Sequence, residues 1–148
     1  MHIRKLQEED VLFDSDFIRI LEQLSSSDDS LCDYGILWDQ YDNQTNSLPV
    51  YTHVIVAVDN DVVVGTGSLI IERKFLRGGG IVGHIEDVVV DKTVRATGVG
   101  RMIVNRLVEI ARENSCYKAV LNCSEDNVPF YGKCGFHCSG HEMRIDLI

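Results

Sequence analysis

The chain has 148 residues, 45% of them hydrophobic and 25% charged, a balance that suits one globular domain with a real core and excludes a disordered or fibrous polymer. A net charge of −9 excludes a broad phosphate-binding surface, so nucleic acid is not expected as a partner. No apolar run approaches the ~20 residues that cross a bilayer, and Met1 to Asp10 lacks the apolar stretch of a secretory signal, so no membrane span is expected.

In chain order, Ile3 to Leu6 reads as a first strand. Asp10 to Leu24 has apolar residues at Phe13, Phe17, Ile18, Leu21 and Leu24, which is a helical period. Ser25 to Asp29 reads as a loop, Ser30 to Tyr41 as a second helix, and Asp42 to Leu48 as polar linker. His53 to Val58 and Val62 to Ile71 read as two strands joined by a hairpin at Asp59-Asn60-Asp61. A flexible turn follows at Leu76 to Gly80, then a strand from Ile81 to Val90. Gly98 to Asn114 is the clearest helix, with Ile103, Leu107, Ile110 and Ala111 on one face. Ala119 to Cys123 reads as a buried strand and Asn127 to Lys133 as a short helix with Pro129 near its start. Phe136 to Leu147 reads as a last strand or pair of strands. No linker divides the chain, so residues 1–148 are expected to form one domain.

The cysteines Cys32, Cys116, Cys123, Cys134 and Cys138 are odd in number and form no Cys-x-x-Cys pair. Reduced thiols in the cytoplasm are the expectation. Cys134, His137, Cys138 and His141 fall in strand and turn rather than a ligand knuckle, so no metal is expected.

The segment Gly83 to Gly100 carries the most chemistry. A β-branched strand holds the adjacent carboxylates Glu86 and Asp87, then passes through a basic turn into Gly98-Val99-Gly100 at a helix start. Such a start points backbone N–H groups outward at the positive end of a helix, which suits a phosphorylated ligand. The third glycine of a dinucleotide fingerprint and a Walker lysine are both missing. Adjacent strand residues face opposite ways, so only a bulge or splayed strand would let Glu86 and Asp87 share a cleft. Their place among Ile and Val reads as buried. Local cations at Arg73, Lys74, Arg77, Arg95, Arg101 and Lys118 can act on a small anion despite the net charge.

The order of these pieces, ending in Asn127, Phe130-Tyr131, Lys133 and Gly135-Phe136, resembles the GNAT acetyltransferase superfamily. More narrowly, Ile71-Glu72-Arg73-Lys74, Gly83 to Asp87 and Cys116-Tyr117-Lys118 resemble its glucosamine 6-phosphate N-acetyltransferases. The likeness is dense from Leu69 to Met143 and weak before about residue 50. It implies an α/β (α+β) GNAT fold, with a mixed, mostly antiparallel sheet of six to seven strands flanked by about four helices. The implied reaction moves acetyl from acetyl-CoA to the 2-amino group of glucosamine 6-phosphate, on the route to UDP-GlcNAc, by direct attack.

By the same resemblance, Glu86 is the base, Asp87 orients the sugar, and Tyr131 protonates the departing thiolate. Acetyl-CoA is implied at Val88, Val89, Val90, Arg95, Ala96, Thr97, Gly98, Val99, Gly100, Arg101, Asn127, Phe130, Tyr131 and Lys133. The sugar phosphate is implied at Ser25, Ser26, Lys74, Phe75, Leu76, Arg77, Glu86, Asp87, Tyr117, Lys118, Asn122 and Arg144. A homodimer with shared active sites and an exchanged last strand is implied too, and His84 reads as structural. Three positions depart from the family pattern: Ala96 stands where glycine is usual, Asn122 where an acid is frequent, and Arg77 where histidine is common. A GNAT enzyme for another small amine or a protein N-terminus is the alternative, and a non-catalytic acyl-CoA sensor a further one.

Overall fold

A computed structural model describes residues 1–12, 15–24, 34–46 and 51–147 of the chain. Among these residues five strands form one sheet in the order β1 (His2–Lys5), β2 (Thr52–Asp59), β3 (Val62–Arg73), β4 (Ile81–Val90) and β5 (Cys116–Val120). Neighbours are antiparallel except β4 and β5, which run parallel. The mixed, mostly antiparallel sheet matches expectation, while the strand number falls short of six to seven. The shortfall lies at residues 136–147, where no strand forms and nearly every side chain is exposed. A strand needs a second edge to pair with, and this segment pairs with no described strand.

The helices are α1 (Asp16–Leu21), α2 (Tyr34–Asn46), a one-turn segment α3 (Leu76–Gly79), α4 (Val99–Glu113) and α5 (Val128–Lys133). The predicted helix over Asp10–Leu24 is broken at its start. Asp10 ends a 3-10 turn over Glu8–Val11, where its carboxylate accepts two hydrogen bonds from Arg4, at 2.6 and 2.8 Å, and one from the Gln7 amide at 2.9 Å. Ser15 then caps α1, its hydroxyl accepting from Ile18 N. The predicted polar linker is helical through Asn46, because α2 continues five residues past Tyr41. Residues 30–33 of that expected helix lie outside the described residues. The hairpin between β2 and β3 forms as expected, with Asn60 and Asp61 both at positive φ (49° and 64°), the geometry of a turn that matches strand twist.

The core lies on both faces of the sheet. On one, α4 inserts Val99, Ile103, Leu107, Ile110 and Ala111 against Ile55, Ala57, Leu69, Ile71 and Ile85. On the other, Phe17, Ile18 and Ile20 of α1 cover Val56, Val58, Val63 and Val89, with Trp38 and Tyr41 of α2 at the margin. Gly67 of β3 is what lets α4 sit so close: a Cβ there would lie 2.8 Å from Ile103 Cγ2 and 3.0 Å from Leu107 Cδ1. β5 begins at Cys116, earlier than predicted, and ends at Val120. It is also less buried than its sequence suggests, since it is the outermost strand of the described sheet. Among the described residues no helix is long and apolar enough to cross a membrane.

Candidate active site

Two irregularities in β4 create the cleft. The first is a bulge. Thr66 pairs with Val89 and Ser68 with Glu86, so one residue of β3, Gly67, stands opposite two of β4, Asp87 and Val88. Asp87 carries the extra length at φ 52°, a conformation that aspartate tolerates better than most residues. The bulge breaks strand alternation, and both Glu86 and Asp87 are exposed. That corrects the reading of buried carboxylates and removes the need for a buried partner.

The second irregularity is a divergence. β5 pairs with β4 only as far as His84 with Val120, whereas β4 runs on to Val90. From Glu86 to Val90 the β5 side of β4 therefore has no strand beside it. An extended, amide-bearing chain can bond to the edge that is left open.

The open edge leads straight to the start of α4. Gly98 is the N-cap at φ 93°, no side chain caps the helix, and no acidic residue lies in its first turn. The first-turn N–H groups thus point out of the helix, free for an anion. A Cβ on Gly100 would lie 3.2 Å from the Phe130 ring, so glycine permits the contact between this turn and α5. Ala96 takes φ 66°, the left-handed conformation that glycine adopts freely. The departure from the family pattern thus changes the strain of the turn and keeps its path. Arg95 braces the turn by donating from Nε to the Val90 carbonyl at 3.3 Å.

Tyr131 is half-buried on α5, edge-on to Phe130 at 4.9 Å and to Phe136 at 6.1 Å between ring centroids. Burial pushes its phenol above the ordinary range, and proximity to Cys123 and Cys134 adds to the push. It is therefore a protonated phenol at neutral pH. Asn127 stands at the N-cap of α5, but its side chain makes no cap hydrogen bond. Gly135 provides the positive-φ turn (93°) after the helix.

Cations gather at the opposite end of β4. The Arg77 guanidinium lies 4.7 Å from the centroid of the Tyr117 ring and Lys118 Nζ lies 5.8 Å from it. Arg77 itself sits at φ 55° inside α3. Lys74 is held by Glu72 at 2.6 Å, and Glu72 also contacts His84 Nε2 at 2.8 Å. Sequence reading left Glu72 without a role. Period two puts His84 and Glu86 on one face of β4, but spacing within that strand carries no signal of the neighbour Glu72 across the ladder. Phe75 and Leu76 project fully into solvent, and Asn122 is exposed just beyond the end of β5.

Not every expected residue joins this cleft. Ser25 and Ser26 lie outside the described residues. Arg144 sits on the exposed segment 136–147 and donates from Nε to Asp146 at 2.7 Å. The same segment exposes Met143 (92%), Ile145 (81%) and Leu147 (85%) in alternation.

A model of the acetyltransferase (GNAT) family matches residues 16–136 of the chain. A probable glucosamine 6-phosphate N-acetyltransferase 2 of Oryza sativa subsp. japonica is 39% identical over 158 residues, covering 98% of this chain and 87% of that one. The glucosamine 6-phosphate N-acetyltransferase of Trypanosoma brucei brucei is 51% identical over 85 residues, 57% of this chain and 58% of its own length. The crystal structure of glucosamine-6-phosphate N-acetyltransferase from Arabidopsis thaliana superposes with a TM-score of 0.86 at 32% identity, over 99% of this chain and 98% of that one.

Proposed function

This chain belongs to the acetyltransferase (GNAT) family and uses acetyl-CoA as donor, and we propose that its acceptor is the 2-amino group of glucosamine 6-phosphate. The observation that carries the proposal is the order of groups along β4. An uncapped helix start lies beyond one end, two exposed carboxylates lie at the bulge, and a cation cluster lies near the other end. Such an order suits a phosphorylated donor and a phosphorylated amine that meet at the carboxylates.

The residues fit the donor. First-turn amides of α4 from Val99 onward, with the Arg95 to Gly98 turn and Arg101, would hold its pyrophosphate. The open edge at Val88 to Val90 would pair with the pantetheine arm, and the Val88 N–H would polarise the thioester carbonyl. A donor aimed at a developing oxyanion is worth ~3 kcal/mol. Asn127, Phe130 and Lys133 would line the thiol end.

The acceptor amine arrives mostly protonated at neutral pH. Glu86 takes its proton, Asp87 orients the sugar, and nitrogen attacks the thioester directly. Tyr131, a phenol that burial keeps protonated, gives its proton to the leaving sulfur. Lys74, Arg77, Tyr117 and Lys118 hold the phosphate, helped by Phe75, Leu76 and Asn122 around it.

We read the chain as one domain of a cytoplasmic homodimer whose last segment crosses to the partner. The exposed alternation of Met143, Ile145 and Leu147 supports exchange, because an apolar strand face needs a sheet to cover it. Arg144, on that segment, would then reach the phosphate of the other protomer's site. The described cysteines Cys116, Cys123, Cys134 and Cys138 are free thiols, which suits a reducing compartment.

The test is a thiol-release assay with acetyl-CoA against glucosamine 6-phosphate, glucosamine, spermidine and a peptide. Turnover should be highest with the phosphosugar. Equal use of glucosamine, or preference for the polyamine or peptide, would overturn the acceptor assignment.

A further inference from the structure

Glu72 links two residues that the mechanism above leaves uncoupled. Its Oε1 accepts a hydrogen bond from Lys74 Nζ and its Oε2 lies 2.8 Å from His84 Nε2. The Lys74 hydrogen bond first, and the His84 contact second, draw the Glu72 carboxyl below its ordinary range. The carboxylate is ionised at neutral pH and can only accept, so His84 Nε2 must carry the hydrogen. In the neutral ring this fixes the tautomer. Nδ1 keeps its lone pair, and among the described residues no hydrogen bond to it is recorded.

His84 also stands two residues before Glu86, with no register break between them. The two side chains therefore share a face of β4, separated by about 7 Å of strand. Both side chains reach out from the strand, and a water can bridge the part of that spacing they do not cover. The charged groups that face His84 are Glu72 from β3, Lys74 just past the end of β3, Glu86 from its own strand, and Lys118 from β5. Glu72 pairs with Lys74, which leaves Glu86 and Lys118 as the remaining opposite charges around the ring.

We infer that His84, oriented by Glu72, is the terminal acceptor of the acceptor amine's proton, which reaches Nδ1 through Glu86 and a bridging water. The inference rests on the phosphosugar reading above. Two N–H protons leave the ammonium in all. The first frees the nitrogen electron pair for attack and passes by way of Glu86 to His84, then to solvent. The second leaves the tetrahedral adduct and replaces the proton that Tyr131 gives to sulfur as the C–S bond breaks. The geometry suits the outlet, for His84 has a third of its side chain exposed (33%) and can discharge to water.

The experiment is the pH dependence of thiol release with acetyl-CoA and glucosamine 6-phosphate for the unaltered chain, His84→Gln and Glu72→Gln. His84→Gln should lower kcat at pH 7 at least about tenfold, with both KM values within about threefold. The gap should narrow toward about pH 9, where the amine arrives already deprotonated. Glu72→Gln should lower kcat at pH 7 in the same way, with the gap again narrowing toward about pH 9, because the ring loses the acceptor that orients it. A His84→Gln deficit that is equal at every pH, or confined to KM, overturns the inference. Should His84→Gln fail to fold, a Glu72→Gln deficit that is absent or equal at every pH overturns it instead. No thiol release by the unaltered chain would sink the acceptor reading itself, a result distinguishable from an active chain indifferent to His84.

Discussion

Burial raises the Tyr131 phenol, and a raised phenol is one that keeps its proton to higher pH. The unaltered enzyme should therefore hold its kcat on the basic side up to about pH 10, the ordinary tyrosine value. Tyr131→Phe should lower kcat about a hundredfold while acetyl-CoA affinity changes less than about threefold. Steady-state kinetics beside direct binding of acetyl-CoA checks both; equal losses in the two would remove Tyr131 from the leaving-group role. At the other end of β4, Lys118 forms no ion pair among the described residues and lies against the Tyr117 ring beside Arg77. Lys118→Ala should raise KM for the phosphosugar about tenfold, the loss of one charge-assisted hydrogen bond, and spare acetyl-CoA binding. The place of Tyr131 on a short helix late in the chain was legible from motif order. The Glu72 contacts were not, because they depend on the pairing of β3 with β4 and no spacing within one strand reveals a cross-strand neighbour.

Among the elements, the turn before α4 and the N-terminal strand are open to direct tests. Ala96 occupies a left-handed backbone position at a cost of roughly 1 kcal/mol. Ala96→Gly should relieve part of it and raise Tm by up to about 3 °C in calorimetry. A fall in Tm would mean that the turn tolerates alanine without strain. Burial alone would raise the Asp10 carboxyl, but the Arg4 and Gln7 hydrogen bonds outweigh it and the net direction is down. A depressed carboxyl stabilises the fold above its unfolded value near pH 4 and loses that contribution as acid titrates the folded form. Asp10→Asn should thus cost about 2–3 kcal/mol at pH 7, with the gap to the unaltered chain closing toward about pH 3. A gap that persists in acid would contradict the ion-pair account. The same pair explains why the first predicted helix began too early: its apolar period was real, but Asp10 was engaged by Arg4 and Ser15 set the cap. Helix α4, by contrast, was legible almost to the residue, since one apolar stripe and two glycines define it.

For the whole molecule, the legibility of the sequence ends at the last segment. Residues 136–147 read as strand by composition, yet no described edge receives them. Joint replacement of Met143, Ile145 and Leu147 by Ser should give a monomer in light scattering and raise KM for the phosphosugar, because Arg144 would no longer be delivered. A variant that stays dimeric with unchanged kinetics would refute the exchange. The bulge at Asp87 was legible only as one of two ways for the acids to share a cleft, since two neighbouring acids look the same in a regular strand and in a kinked one. Its placement has a consequence for how such enzymes diversify. In the proposed mechanism, residues upstream of the kink serve one reactant and those downstream the other, so a single strand would behave as two independently editable halves. Transplanting the first half, with α3 and the start of β5, should re-target the catalyst to a new nucleophile while its appetite for thioesters goes unchanged.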